Sequence, residues 1–202
     1  MGKFAWIFMT LCVCLVSATS LGRMHSEEEL AELNKKYDEI QRTLDGFSKN
    51  LSGELPLKYS SLKSALDAYA DAHANNEASS PGTGWADAVA SGKDSVLKEF
   101  IDLFRKLDSK QFKEQSELDF KQKDSELNRI YQAIQKNKNL DSEVAAAVSR
   151  RGIKDTQRKW IKYRDAWLVF AAIKFPTVSK HSLSATLTAD RISRLEKIPT
   201  EQ

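Results

Sequence analysis

Cysteine is nearly missing from this 202-residue chain, and its two copies stand where a fold cannot use them. Cys12 and Cys14 both lie in one apolar run, Phe4 to Val16, preceded by Lys3 and followed by the small residues Ala18, Thr19 and Ser20. That pattern reads as an export signal over 1–20, and its removal leaves a mature chain with no disulfide, thiol nucleophile or thiolate metal ligand. A membrane anchor is the competing reading, but the run falls short of the roughly 20 apolar residues that span a bilayer. Leu11 before Cys12 and Val13 before Cys14 do not suit a lipoprotein signal, which has a small residue there. A periplasmic or secreted protein is therefore expected. No other run approaches spanning length, so no integral membrane association is expected.

Glycine and proline are also scarce, at 8 and 4 residues. A β-sandwich or barrel needs turn residues at every corner and is disfavoured. No GxGxxG or GxxxxGK[ST] segment exists, which removes the commonest phosphate-binding loops. His25, His73 and His181 fall near a terminus or in expected loops, without HxxxH or HExxH spacing, and no G-x-S-x-G elbow occurs. The triplet Glu27-Glu28-Glu29 reads as a solvated first helical turn, where the macrodipole favours acids. The chain is thus expected to be no enzyme, with no metal and no cofactor.

Charge of one sign is missing overall, since the net is only +3. The halves differ, however. Residues 21–108 carry 11 Lys and Arg against 16 Asp and Glu, a net of −5, whereas 109–202 carry 19 against 12, a net of +7. Because the cations of the second half alternate with acids, an ordinary solvated surface is expected there and no nucleic-acid partner.

What is present is helical periodicity. Leu30, Leu33, Tyr37, Ile40, Leu44, Phe47 and Leu51 recur at three- and four-residue steps, predicting an amphipathic helix over 27–52 that Gly53 and Pro56 end. Further helices are predicted over about 57–76, over a short stretch after Trp85, and over about 111–138, 142–174 and 186–197. Gly152 is a candidate interruption. Asn75–Gly84 is the one clear loop. The order repeats: an ungapped shift of 94 residues pairs Glu32-Leu33-Asn34 with Glu126-Leu127-Asn128, Tyr37 with Tyr131, Ile40-Gln41 with Ile134-Gln135, and Tyr69 and Asp71-Ala72 with Tyr163 and Asp165-Ala166. The polar matches are not produced by apolar periodicity alone and point to duplication. The expected fold is all-α, two tandem antiparallel helical units of about three helices each, over 21–110 and 111–202.

The second unit carries the fuller motif: Asp124, Leu127, Asn128 and Tyr131, then Gln157-Arg158-x-Trp160-Ile161-x-Tyr163-Arg164-Asp165-Ala166. This resembles the LprI-type lysozyme-inhibitor domain, a helical module of exported bacterial proteins with an LN-x-x-Y helix followed by a QR-x-W-x-x-[YF]RDA helix. The resemblance covers roughly 117–197, and the first unit looks like a degenerate copy retaining Leu33-Asn34-x-x-Tyr37. Many members of the family place a cysteine soon after RDA, where this chain has Trp167, so shared disulfides are not implied. The resemblance implies an exported protein that binds and occludes a lysozyme or a related peptidoglycan-cleaving enzyme. An immunity-type or envelope-stress binding module without such a target is the other reading, and the oligomeric state is left open.

Two roles stand open for the motif. As scaffold, Trp160 and Tyr163 would lie against Tyr131 and Leu127 of the preceding helix, with Gln157, Arg164 and Asp165 tied to Asn128 or Asp124. As interface, Arg164 and Trp160 would be exposed anchors for a partner. The loop 75–84, with Glu77, Trp85 and Asp87 about it, is a candidate contact for a basic lysozyme, or only a connector.

Overall fold

The computed structural model describes residues 27–78, 85–141 and 148–198. The apolar run Phe4 to Val16 and the stretch 79–84 lie outside the described residues. Among the described residues six α-helices follow one another: α1 (Glu27–Ser48), α2 (Leu55–Asn76), α3 (Trp85–Asp108), α4 (Glu117–Lys136), α5 (Arg150–Lys174) and α6 (Lys180–Leu195), with a 3-10 turn at Lys138–Asp141. No helix here is long and apolar enough to cross a membrane.

Local chemistry sets the helix ends. Ser116 caps α4 in a full capping box with Asp119, which starts that helix six residues later than the periodicity predicts. Ser149 and Ser179 cap α5 and α6 through the backbone N–H groups of Gly152 and Ser182. Gly53 takes φ +63 between α1 and α2, and Pro56 occupies the first turn of α2, where its missing N–H is harmless. The helix after Trp85 is not short: α3 runs 24 residues. Gly152 does not interrupt α5 but lies in its first turn, where a Cβ would come within 3.0 Å of Asn76.

The centre of the molecule is the antiparallel pair α2 and α5. The Tyr59 ring lies 5.7 Å from Phe170, Tyr69 stacks on Tyr163 at 5.4 Å, and Asn76 bonds Thr156. α3 lies on α2 and adds Phe100 and Phe104 against Trp167 and Phe170. α4 packs on α6, and α1 lies more loosely on α3. One hydrophobic core therefore runs through both halves. Of the helices equated by the 94-residue shift, α1 touches α3 as α4 touches α6, but α3 packs chiefly on α2 whereas α6 packs chiefly on α4, so the two halves are not packed alike. Tyr69 and Tyr163, equated by the same shift, are the pair that meets across the middle.

Candidate functional site

The apolar stripe of α6 contains two arginines. Leu183, Leu187, Arg191 and Arg194 recur at four- and three-residue steps, so the helix that buries its leucines also buries its guanidinium groups. Arg191 is wholly buried, at 0% exposure. It donates from Nη1 to Oε2 of Glu77 (2.6 Å), from Nη2 to Oε1 of Glu77 (2.7 Å), and from Nε to Oε1 of Gln157 (2.8 Å). Its plane also faces the Tyr69 ring at 5.9 Å. A bidentate Arg–carboxylate pair has fixed geometry as well as strength.

His73 links this pair to the second arginine. Arg194 donates from Nη1 to Nε2 of His73 (2.7 Å), so the ring proton sits on Nδ1 and is donated to Oε2 of Glu77 (2.9 Å). Arg194 also donates to Ser95 Oγ (3.0 Å), and its Nη2 lies 2.6 Å from Glu99, an ion pair outside hydrogen-bonding geometry. Four helices are thereby joined: α2 by His73 and Glu77, α3 by Ser95 and Glu99, α5 by Gln157, and α6 by the arginines.

Burial and charge compete at each group. Burial pushes the Glu77 carboxyl up, yet the charge of Arg191 and the hydrogen bonds from Arg191 and His73 outweigh it and hold the carboxyl below its ordinary range. Burial likewise opposes the charge on Arg191, but Glu77 and Tyr69 raise its pKa further. His73 moves the other way, since burial and the positive Arg194 keep it neutral against the pull of Glu77. Asp190, beside the cluster, is pushed up to about 6, first by burial and then by the charge of Glu99. The Tyr163 hydroxyl is pushed upward by burial.

Beside Arg191 lies a cavity of about 10 Å³ lined by Tyr69, Trp160, Tyr163, Leu187 and Asp190. That is room for a single water and for no substrate. With every charge of the pair already engaged inside the core, the cluster's chemistry is that of a clamp.

The motif residues divide between core and surface. Leu127, Trp160 and Tyr163 are buried, and Tyr163 Oη accepts from Trp167 Nε1 at 2.8 Å. Gln157 does tie helices together, but through Arg191 of α6, not through Asn128 or Asp124. Those two bond each other across one turn of α4 (3.3 Å). Arg164 and Asp165 pair with one another, and Arg164 covers the Trp160 ring at 5.3 Å. Tyr131 is half-buried and Arg158 exposed. The expectation that α5 lies on the preceding helix is corrected: its main partner is α2, while α4 turns to α6. Thirteen residues, 137 to 149, separate α4 from α5 in sequence.

The loop residues separate in the same way. Glu77 is not a surface contact, because its side chain is 1% exposed and bound to Arg191. Asp87 is exposed on α3. The side chain of Trp85 lies outside the described residues. Likewise, His73 is no loop residue but a buried member of α2. The sequence reading missed Arg191 and Arg194 as well, although two arginines in phase with Leu183, Leu187 and Leu195 were a visible signal. Between α1 and α3, Lys36, Tyr37, Ala90 and Leu97 line an open groove of about 330 Å³, and the two helices expose Asp38, Asp45, Asp87 and Asp102.

Residues 107–195 match the family model described as Lysozyme inhibitor LprI. The match runs from the end of α3 to the end of α6, less than half of the chain. It includes Gln157, Arg191 and Arg194 but not Tyr69, His73 or Glu77. No curated protein and no solved structure matches the chain.

Proposed function

We propose that this protein is an exported inhibitor that binds and occludes a lysozyme or a related peptidoglycan-cleaving enzyme, and performs no chemistry itself. The observation that carries this reading is the family match over 107–195. A clamp joining four helices is consistent with it, because a surface held rigid before binding loses less conformational entropy when a partner docks. Occlusion needs only that such a surface cover the carboxylate-lined cleft on which glycoside hydrolysis depends.

In this proposal the motif is scaffold and does not meet the enzyme. The contact surface is the acidic side formed by α1 and α3, where Asp38, Asp45, Asp87 and Asp102 are exposed. Animal-type lysozymes are generally basic, and charge of opposite sign speeds encounter at low salt. The test is inhibition of lysis by the purified protein against a panel of animal-type and bacterial muramidases. Inhibition of at least one is expected. Inhibition of none discards the reading in favour of a binding module without a hydrolase target. Reversing Asp38, Asp45 and Asp102 to Lys is expected to weaken inhibition of a basic lysozyme at least tenfold at low salt and much less at high salt. A variant that inhibits equally at both moves the contact elsewhere.

A further inference from the structure

The net charge of the whole chain is +3, yet residues 136–162 alone hold eight cations against three carboxylates, a net of +5. In sequence those acids look interspersed. In the structure two of the three are taken up, Asp141 by Arg150 and Asp155 by Lys159, while Glu143 lies outside the described residues. Among the described residues, Lys136, Lys138, Arg151, Lys154, Arg158 and Lys162 are left without an ion-pair partner.

Four of these six share one side of α5. Arg151, Lys154, Arg158 and Lys162 follow at steps of three, four and four, all exposed, opposite the face that buries Ile153, Trp160, Trp167 and Phe170. Lys136 and Lys138 stand at the same end of the molecule, since the Gln135 backbone accepts from Arg150. The same outward side then changes character. Ile161, Val169 and Ile173 are 38%, 50% and 38% exposed, and Val169 and Ile173 keep the phase of Lys162. From residue 151 to 173 this side is about 33 Å long at the α-helical rise. It carries cations at one end and aliphatic side chains at the other, with the exposed Asp165, paired to Arg164, between them.

We propose that the outward side of α5 seats the protein on an anionic phospholipid surface. Lipid phosphates supply the counter-charge that the described residues do not, and the boundary beneath them takes Ile161, Val169 and Ile173. A nucleic acid matches the cations but has no use for the exposed aliphatic row. The inference is independent of the inhibitor reading, since it uses the basic half of the molecule and not the acidic side assigned to a lysozyme.

The experiment measures partitioning of the full chain onto vesicles of one-third phosphatidylglycerol in phosphatidylcholine, against pure phosphatidylcholine, at low and high salt. Reading the difference between the two lipids cancels any contribution of the apolar run at 4–16, which is indifferent to headgroup charge. Wild type is expected to prefer the anionic vesicles, with the preference collapsing in high salt. The quadruple variant R151E/K154E/R158E/K162E is expected to lose roughly 100-fold. Reversal of four exposed cations elsewhere, Lys35, Lys49, Arg105 and Lys180, is expected to lose far less. I161S/V169S, which leaves charge unchanged, is expected to weaken the anionic binding several-fold. An equal loss in the two quadruple variants, or no preference by wild type, overturns the proposal. So does tighter binding of duplex DNA than of vesicles together with an inert I161S/V169S.

Discussion

Arg191 and Glu77 illustrate how much a single buried charge can weigh. Each ion taken out of water loses several kcal/mol of solvation, which only its partner returns. Glu77→Gln leaves the guanidinium at 0% exposure without a counter-charge and is expected to cost about 3–5 kcal/mol in urea melts. The double variant Glu77→Gln with Arg191→Met is expected to recover much of that loss, because no buried ion then remains. If the double variant is as unstable as the single, the pair stabilises in its own right. Two neighbours make the fold respond to pH in opposite directions. Burial, chiefly, holds His73 below its ordinary 6.5, so below that pH the unfolded chain takes up a proton that the folded chain refuses, and stability falls as pH falls. Asp190 is raised from 3.8 to about 6, so the folded chain holds the extra proton between those values, and this contribution is lost as pH rises through about 6. Asp190→Asn is therefore expected to stabilise by about 2 kcal/mol at pH 7 and hardly at all at pH 3.5. Equal effects at both values mean that the Asp190 carboxyl titrates as in water. None of these residues stood out in the sequence as a set, because a charge in an apolar stripe reveals its burial but not its partner on another helix.

Individual helices were legible to the extent that their ends depend on near neighbours. The stripe through Ile40 and Leu44 and the stop at Gly53 and Pro56 are local facts, and α1 and α2 follow them. The start of α4 was misplaced because Ser116 and Asp119 fix it through a capping box inside a polar stretch where periodicity is silent. The start of α6 at Lys180 was missed similarly, because its first turns bury small polar residues such as Ser182 and Ser184. Pairing between helices was less legible, since α5 is drawn to α2 by aromatics 94 and 111 residues away in sequence. At this scale the motif tryptophan is an anchor: Trp160 is 2% exposed, and Trp160→Ala is expected to cost about 3–5 kcal/mol, lowering the melting temperature by roughly 10 °C. An unchanged melt with lost inhibition returns Trp160 to the interface. Helix spacing rests on smaller residues. A Cβ on Gly92 would stand 2.5 Å from that of Ala78 and 3.3 Å from the Ala74 backbone. Gly92→Ala, although it raises helix propensity, is therefore expected to destabilise by about 1–3 kcal/mol by forcing α3 off α2. A gain in stability means that α2 and α3 separate freely.

The matched segment 107–195 looks like a domain in sequence, since it has its own motif, its own charge and a boundary in the connection between α3 and α4. The contacts of the whole molecule argue differently. Of the three helices in that segment, α4 and α6 satisfy each other, but α5 turns its widest apolar side to α2 and α3. Tyr163, Trp167 and Phe170 meet Tyr59, Tyr69, Phe100 and Phe104, and Trp160 lines a small cavity together with Tyr69, Val96 and Leu103, all from the first half. Among the described residues, the carboxylate that Arg191 pairs with, Glu77, lies there as well. Cutting the chain at residue 107 would thus expose four large aromatics to water and leave a buried-side guanidinium unpaired. Each aromatic forfeits a burial of order 2–3 kcal/mol, which together exceed the stability that a segment of this size commonly has. The expectation is that 107–202 expressed alone keeps part of its helical signal in circular dichroism but melts without a cooperative transition, and that adding the separate 21–106 fragment restores one. A sharp, concentration-independent melt of 107–202 by itself makes the two halves true tandem domains, with the α2–α5 contact a docking of finished units. Loss of cooperativity in both fragments, recovered on mixing, makes the 94-residue repeat a record of ancestry inside a single cooperative fold.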